Sequence, residues 1–259
     1  MSQDSISSEK KPARSTWFAF LTALQFLTIF PPLIRRPFTA AELGRSVGFY
    51  PLVGLLMGIF LAGSNALLFL LFPKLVGLAL VLALWIIASG VLHLDGFLDT
   101  CDGLFGGQNP QNRMEIMRDE RLGAYAFAGG ILLILLKYST LNAVPNVYHG
   151  LILAPTISRW GMALALAFFP YARSTGIGRD IKNMVGRKEV ILASIITFLI
   201  VVVVNPWQGL VALIAIAVLV YVVAKLFLRF LPGLTGDTYG AINELSELLV
   251  LLILCARLL

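Results

Sequence analysis

The chain has 259 residues, 58% of them hydrophobic and only 13% charged, with a formal net charge of +6 and a mean hydropathy of +0.87. A soluble domain is about a quarter charged, so this composition excludes one and identifies an integral membrane protein. Without a sizeable basic soluble domain, the positive charge reads as a topology signal, and no nucleic-acid partner is expected.

Residues 1–14 are polar and basic and are expected to be disordered, with residues 15–259 forming a single transmembrane domain. No small-residue cleavage site follows the basic segment, so a removed signal peptide is not expected. The run Trp17–Phe30 is short and stops at Pro31-Pro32, which predicts a re-entrant or interfacial helix. Seven longer runs follow, at Val47–Phe72, Leu75–Leu92, Leu122–Val144, Val147–Phe169, Glu189–Val204, Gln208–Leu228 and Ala241–Leu259. In lipid they must be helical, because an open strand leaves backbone groups unsatisfied. The fold expected is an all-α integral membrane protein: a bundle of about seven transmembrane helices, the short N-terminal helix and a surface helix. With a cytoplasmic N-terminus and a first run that returns to its own side, sixteen of the twenty basic residues fall on the cytoplasmic face, as the positive-inside rule requires. Cys101 and Cys255 lie far apart and read as free thiols.

After the run ending at Leu92 comes HLDGFLDTCDGLFGG. Asp95, Asp99 and Asp102 stand at i, i+4 and i+7, within roughly 60° on one helical face, with Gly96 and Gly103 leaving room beside them. Three carboxylates in one stripe repel one another and resist desolvation unless a divalent cation neutralises them. Hard oxygen donors point to Mg²⁺ or Mn²⁺, shared with substrate phosphates; the plainer alternative is a solvated acidic turn. The sequence leaves open whether this helix continues through Asp102 or breaks at Gly103.

The stretch Asn112–Ala126, NRMEIMRDERLGAYA, mixes apolar and basic residues and predicts an interfacial helix. Its arginines suit bidentate contact with phosphate oxygens, or else snorkel from a lipid-facing surface. Further on, Arg159 falls within a span. In LPGLTGDTYGAINELSELL, Asp237, Glu244 and Glu247 lie within about 80° on one helix. Glu244 and Glu247 fall inside the last span and need Arg159, Lys137, a metal or a polar cavity as partner.

HLDGFLDTCDGL, RMEIMRDERLGAYA, SRW and LTGDTYGAINELSE, in this order, resemble the cobalamin synthase family, the adenosylcobinamide-GDP ribazoletransferases; the likeness runs from about Pro32 to the C-terminus and includes FYPLVGLLMG. The resemblance implies a transferase of the cytoplasmic (inner) membrane with its active site facing the cytoplasm. It would join adenosylcobinamide-GDP to α-ribazole 5′-phosphate or α-ribazole and release GMP with the help of Mg²⁺. Asp95, Asp99 and Asp102 would be metal ligands, with Asp237 a fourth. Arg118 and Arg121 would clamp phosphate, His93 or a free carboxylate would accept the hydroxyl proton, and Asp119, Arg159, Glu244 and Glu247 are further candidates for substrate contact. Membrane lipid and a second copy of the chain are candidate partners. The basic loop from Arg173 to Lys188 is explained by topology as well as by attraction of anionic substrate. Two rivals share the physics. A CDP-alcohol phosphotransferase would continue its aspartate motif in a way absent here, and a cation-coupled transporter would place its acids at the membrane midplane.

Overall fold

The computed structural model describes residues 16–256; the expected disorder of residues 1–14 lies outside them. Among the described residues every regular element is a helix, apart from one isolated bridge between Tyr171 and Leu234. Helix α1 (Thr16–Leu27) has twelve residues, about 18 Å of helix and too short to cross a bilayer. The Gln25 side chain bonds both the N–H and the C=O of Ile34, at 3.0 Å each, which ties the Pro31-Pro32 segment back to this helix.

Helix α2 (Ala40–Ser46) starts at a capping box of Thr39 and Glu42 and passes through a 3₁₀ turn (Val47–Phe49) into α3 (Tyr50–Leu71). Next come α4 (Lys74–Ala88) and α5 (Leu92–Gly106), bent by 85° relative to each other. The turn between them is made by Gly90 and Val91, both left-handed, with φ of 65° and 60°. The apolar run expected to reach Leu92 therefore ends at Ala88, and the acidic stripe has a helix of its own, continuous through Asp102 and Gly103.

The interfacial helix expected over Asn112–Ala126 is not continuous. Helix α6 (Pro110–Ile116) ends where Met117 buries itself against Gly103, and Arg118–Gly123 is irregular. Asp119 stabilises the turn by accepting the Arg121 backbone N–H at 3.1 Å, a local bond that competes with helix. The remaining elements are α7 (Ala124–Ala143), α8 (Val147–Phe168), α9 (Ile177–Met184), α10 (Arg187–Val204), α11 (Pro206–Phe227) and α12 (Gly236–Cys255). Asn146 and Asn205 cap α8 and α11 with their side chains, which is why the connections before them are so short.

Five of these helical stretches are long and apolar enough to cross a membrane, six if the bent pair α4–α5 counts as one span. The seventh expected run corresponds to α10, whose first three residues are Arg187, Lys188 and Glu189; the apolar remainder is about 22 Å long. Helices α8 and α12 are the most enclosed of the spans. Helix α3 packs on α8 through Gly54 and Gly58, where an added Cβ would stand 2.7 Å from backbone atoms of Thr156 and Ile152, the close approach typical of small-x-x-x-small pairs in lipid. Phe127, Leu132, Ile214 and Val218 on α7 and α11 face outward, as expected where lipid replaces water.

Candidate functional site

Helix α5 crosses the N-terminal ends of α12 and α7. At the first crossing glycines allow backbone contact: a Cβ on Gly96 would lie 2.8 Å from the Asp237 carbonyl, and one on Gly240 2.9 Å from the His93 carbonyl. At the second, α7 begins at Gly123 without a capping side chain of its own. Asp102 supplies the cap from across the gap, accepting the N–H groups of Gly123 at 2.7 Å and Ala126 at 2.8 Å, one on each oxygen. Two helix N-termini thus face the acidic helix, and their partial positive charge stabilises carboxylates there. Asp102→Ala should lower stability by about 1–2 kcal/mol, read as a shift in the unfolding midpoint in detergent. An unchanged midpoint would show that the cap carries no weight.

Asp95 is exposed and Asp99 half-buried, and neither carboxylate has a hydrogen-bond partner among the described residues. Asp99 lies within electrostatic reach of Asp95, Asp102 and Asp237, with Arg173 opposing them. Asp237 is the second residue of α12, just after its Thr235 cap; it accepts a bond from the Thr235 hydroxyl at 3.2 Å and an ion pair from Arg173 at 2.7 Å. Arg173 is brought there by the Tyr171–Leu234 bridge, in which Ala172 N–H bonds Leu234 C=O and Leu234 N–H bonds Pro170 C=O, both at 2.8 Å. Asp95, Asp237, Arg173 and His93 line one cavity of about 340 Å³. His93 is 2% exposed and its Nε2 has no partner among the described residues.

Asp102, Asp119 and Arg121 line a separate depression of about 410 Å³, together with Tyr125. There Arg121 is ion-paired with Asp119 at 2.6 Å, and this bonding holds the exposed Asp119 carboxyl down at about 2. Arg118 is exposed and near enough to Tyr171 to act on its hydroxyl electrostatically. The stripe therefore has Asp95 on one depression and Asp102 on another.

Arg159, Glu244 and Glu247, candidates for substrate contact from sequence, sit inside the bundle and line neither depression. Lys137 of α7 pairs with Glu244 and, at 2.6 Å, with Glu247; Arg159 stands 3.5 Å from Glu247, and Asn243 donates to the same carboxylate at 3.1 Å. Trp85 lies under the Lys137 ammonium at 5.1 Å. Two cations and two carboxylates cancel, so this cluster is a neutral tie between α7, α8 and α12, the Lys137 and Arg159 partnership that the sequence offered among its alternatives.

The donor set suits a hard divalent cation. Mg²⁺ keeps several waters and takes only one or two carboxylates plus substrate phosphates, and Asp95 and Asp99 offer unengaged oxygens beside Asp237. Among the described residues no three His, Cys, Asp or Glu side chains gather closely enough to cage an ion by themselves. Asp102, with a backbone N–H on each oxygen, has the least spare acceptor capacity of the stripe. Sequence reasoning passed over Arg173 as a site residue; the pair of glycines after it, in RSTGIG, was the available signal.

Comparison with known proteins identifies the family of the chain. A curated adenosylcobinamide-GDP ribazoletransferase from Pseudomonas savastanoi pv. phaseolicola is 40% identical over 219 residues, 81% of this chain and 87% of that protein. One from Syntrophobacter fumaroxidans is 38% identical over 206 residues, 78% of this chain and 83% of that protein. No solved structure matches the chain. The profile that describes cobalamin-5-phosphate synthase matches residues 19–255, which spans α5, α12 and the loop between α8 and α9, and the chain belongs to that family.

Proposed function

We propose that the protein is an adenosylcobinamide-GDP ribazoletransferase of cobalamin biosynthesis. It joins adenosylcobinamide-GDP to α-ribazole 5′-phosphate, or to α-ribazole, and releases GMP. The observation that carries the reading is the crossing of α5 over the N-termini of α12 and α7. It gathers four aspartates and Arg173 at one face of a membrane bundle, in a chain largely alike to proteins bearing that name.

In this reading Asp95 and Asp99, or one of them with Asp237, would hold Mg²⁺, or Mn²⁺ in its place, together with substrate phosphate, and Asp102 would fix the helix that carries them. The cation would supply charge neutralisation on the diphosphate. The protein's own part is positional. Helix α5 sets the carboxylates in line, α12 and α7 direct their N-terminal dipoles at them, and His93 offers an unengaged ring nitrogen at the cavity wall for the hydroxyl proton. The basic residues between α8 and α10 support a cytoplasmic orientation of this face in the inner membrane, where both soluble substrates would arrive. Membrane lipid then surrounds the outward faces of α7 and α11, and a second copy of the chain would meet it through such a face.

The test is GMP release by purified protein in liposomes given adenosylcobinamide-GDP and α-ribazole 5′-phosphate. Metal-dependent release with formation of adenosylcobalamin 5′-phosphate is expected. No release from folded protein at any divalent metal would end the reading.

A further inference from the structure

Besides the carboxylates, the 340 Å³ cavity is lined by Arg173, Thr175 and the first turn of α9, from Gly176 to Gly178. Gly176 has φ 100°, a conformation that favours glycine, and no side chain caps α9. The first N–H groups of an uncapped helix are orphan donors at the positive end of its dipole. Gly178 is needed for another reason: a Cβ there would collide with the Tyr171 hydroxyl. The helix is moored from behind by Lys182, whose ammonium donates to the carbonyls of Leu166 at 2.9 Å and Ala167 at 2.8 Å, the C-terminal end of α8.

Two buried polar groups on the same cavity have no partner among the described residues. His93 Nε2 is one, and the hydroxyl of Tyr239, a residue 5% exposed, is the other. A buried polar atom without a partner costs about 1–3 kcal/mol, so both ask for a hydrogen-bonding guest. Arg173 Nε is also buried and unpartnered, although its guanidinium reaches Asp237 through the other end. A guanidinium, an uncapped helix start and a tyrosine hydroxyl share one chemistry of ligand, an oxyanion rich in acceptor oxygens.

We infer that Arg173, Tyr239 and the first turn of α9 seat a phosphate group of one of the substrates, in the cavity that Asp95 and Asp237 also line. The inference rests on the transferase reading only for the identity of that phosphate. Either the acceptor's phosphomonoester or the donor's diphosphate carries the chemistry.

The test is equilibrium binding of radiolabelled inorganic phosphate and of pyrophosphate to the full-length protein in nanodiscs, with Mg²⁺ and with chelator. Arg173→Gln should weaken binding about tenfold or more and Arg173→Lys less, because a charge-assisted pair is lost in the first and partly kept in the second. Tyr239→Phe removes one oxygen, leaves the packing in place and should weaken binding about fivefold. Wild-type affinity in both Arg173→Gln and Tyr239→Phe overturns the inference. In the transfer assay, a KM for α-ribazole 5′-phosphate that rises in Arg173→Gln while that for α-ribazole stays put assigns the seat to the acceptor. A raised KM for adenosylcobinamide-GDP with either acceptor assigns it to the donor. Arg173-dependent phosphate binding by a protein that releases no GMP would keep the seat and remove the reaction.

Discussion

Asp95→Asn protein in liposomes is expected to release GMP at about a thousandth of the wild-type rate at saturating substrate, while folding as the wild type does. The carboxylate of Asp95 is exposed, has no hydrogen-bond partner among the described residues and lines the cavity shared with Asp237 and Arg173. Asparagine keeps its shape, so nothing in the bundle depends on the change. What is lost is one negative charge where a phosphoryl group must be neutralised, and single groups that stabilise transition-state charge are worth about 10²–10³ in rate. Part of the loss should return as Mg²⁺ is raised, since the charge acts through cation affinity. A rate within threefold of wild type at every Mg²⁺ concentration would remove Asp95 from the site and leave Asp99 and Asp237 as its donors.

Lys137→Met should cost about 3–5 kcal/mol of stability, enough to leave little folded protein in detergent. The ammonium is 3% exposed and is shared by Glu244 and Glu247, which are buried as deeply. Its removal leaves two carboxylates facing Arg159 alone, with one charge uncompensated among apolar helices. The double variant Lys137→Met/Glu244→Gln removes one charge of each sign and preserves the Arg159–Glu247 pair, so most of the loss should be recovered. Unfolding midpoints of the two variants, compared with Glu244→Gln alone, give the coupling energy directly. If the double variant is no more stable than Lys137→Met, the network does not act as a neutral unit.

Much of the architecture was legible because lipid permits few choices. The apolar runs fell on helices, and the seven-residue register of Asp95, Asp99 and Asp102 fell on one continuous helix. The break before it was not legible. Gly90 is a helix terminator by type, but Val91 in the left-handed region contradicts the preference of a β-branched residue, and only the packing of α5 across α12 explains it. Asp102 looked like its neighbours in sequence; its work as a cap depends on Gly123, 21 residues away. Arg173 was hidden by its company, since a loop full of basic residues is already explained by the sidedness of the membrane. The buried quartet was half legible: intramembrane acids demand partners, and the sequence named Lys137 and Arg159 without saying that they would be used together.

The glycine crossing has a consequence for how this scaffold can diversify. At Gly96 and Gly240 the backbones of α5 and α12 already touch, so the carboxylate wall behaves as a fixed jaw that no side-chain exchange can widen. The α9 wall is instead loop and short helix, tied by the bridge at Tyr171 and by Lys182 and packed on α2, where Gly44 meets Met184. Variants selected to accept bulkier or slimmer acceptor bases are therefore expected to collect their changes between Tyr171 and Met184, with the α5–α12 jaw kept intact.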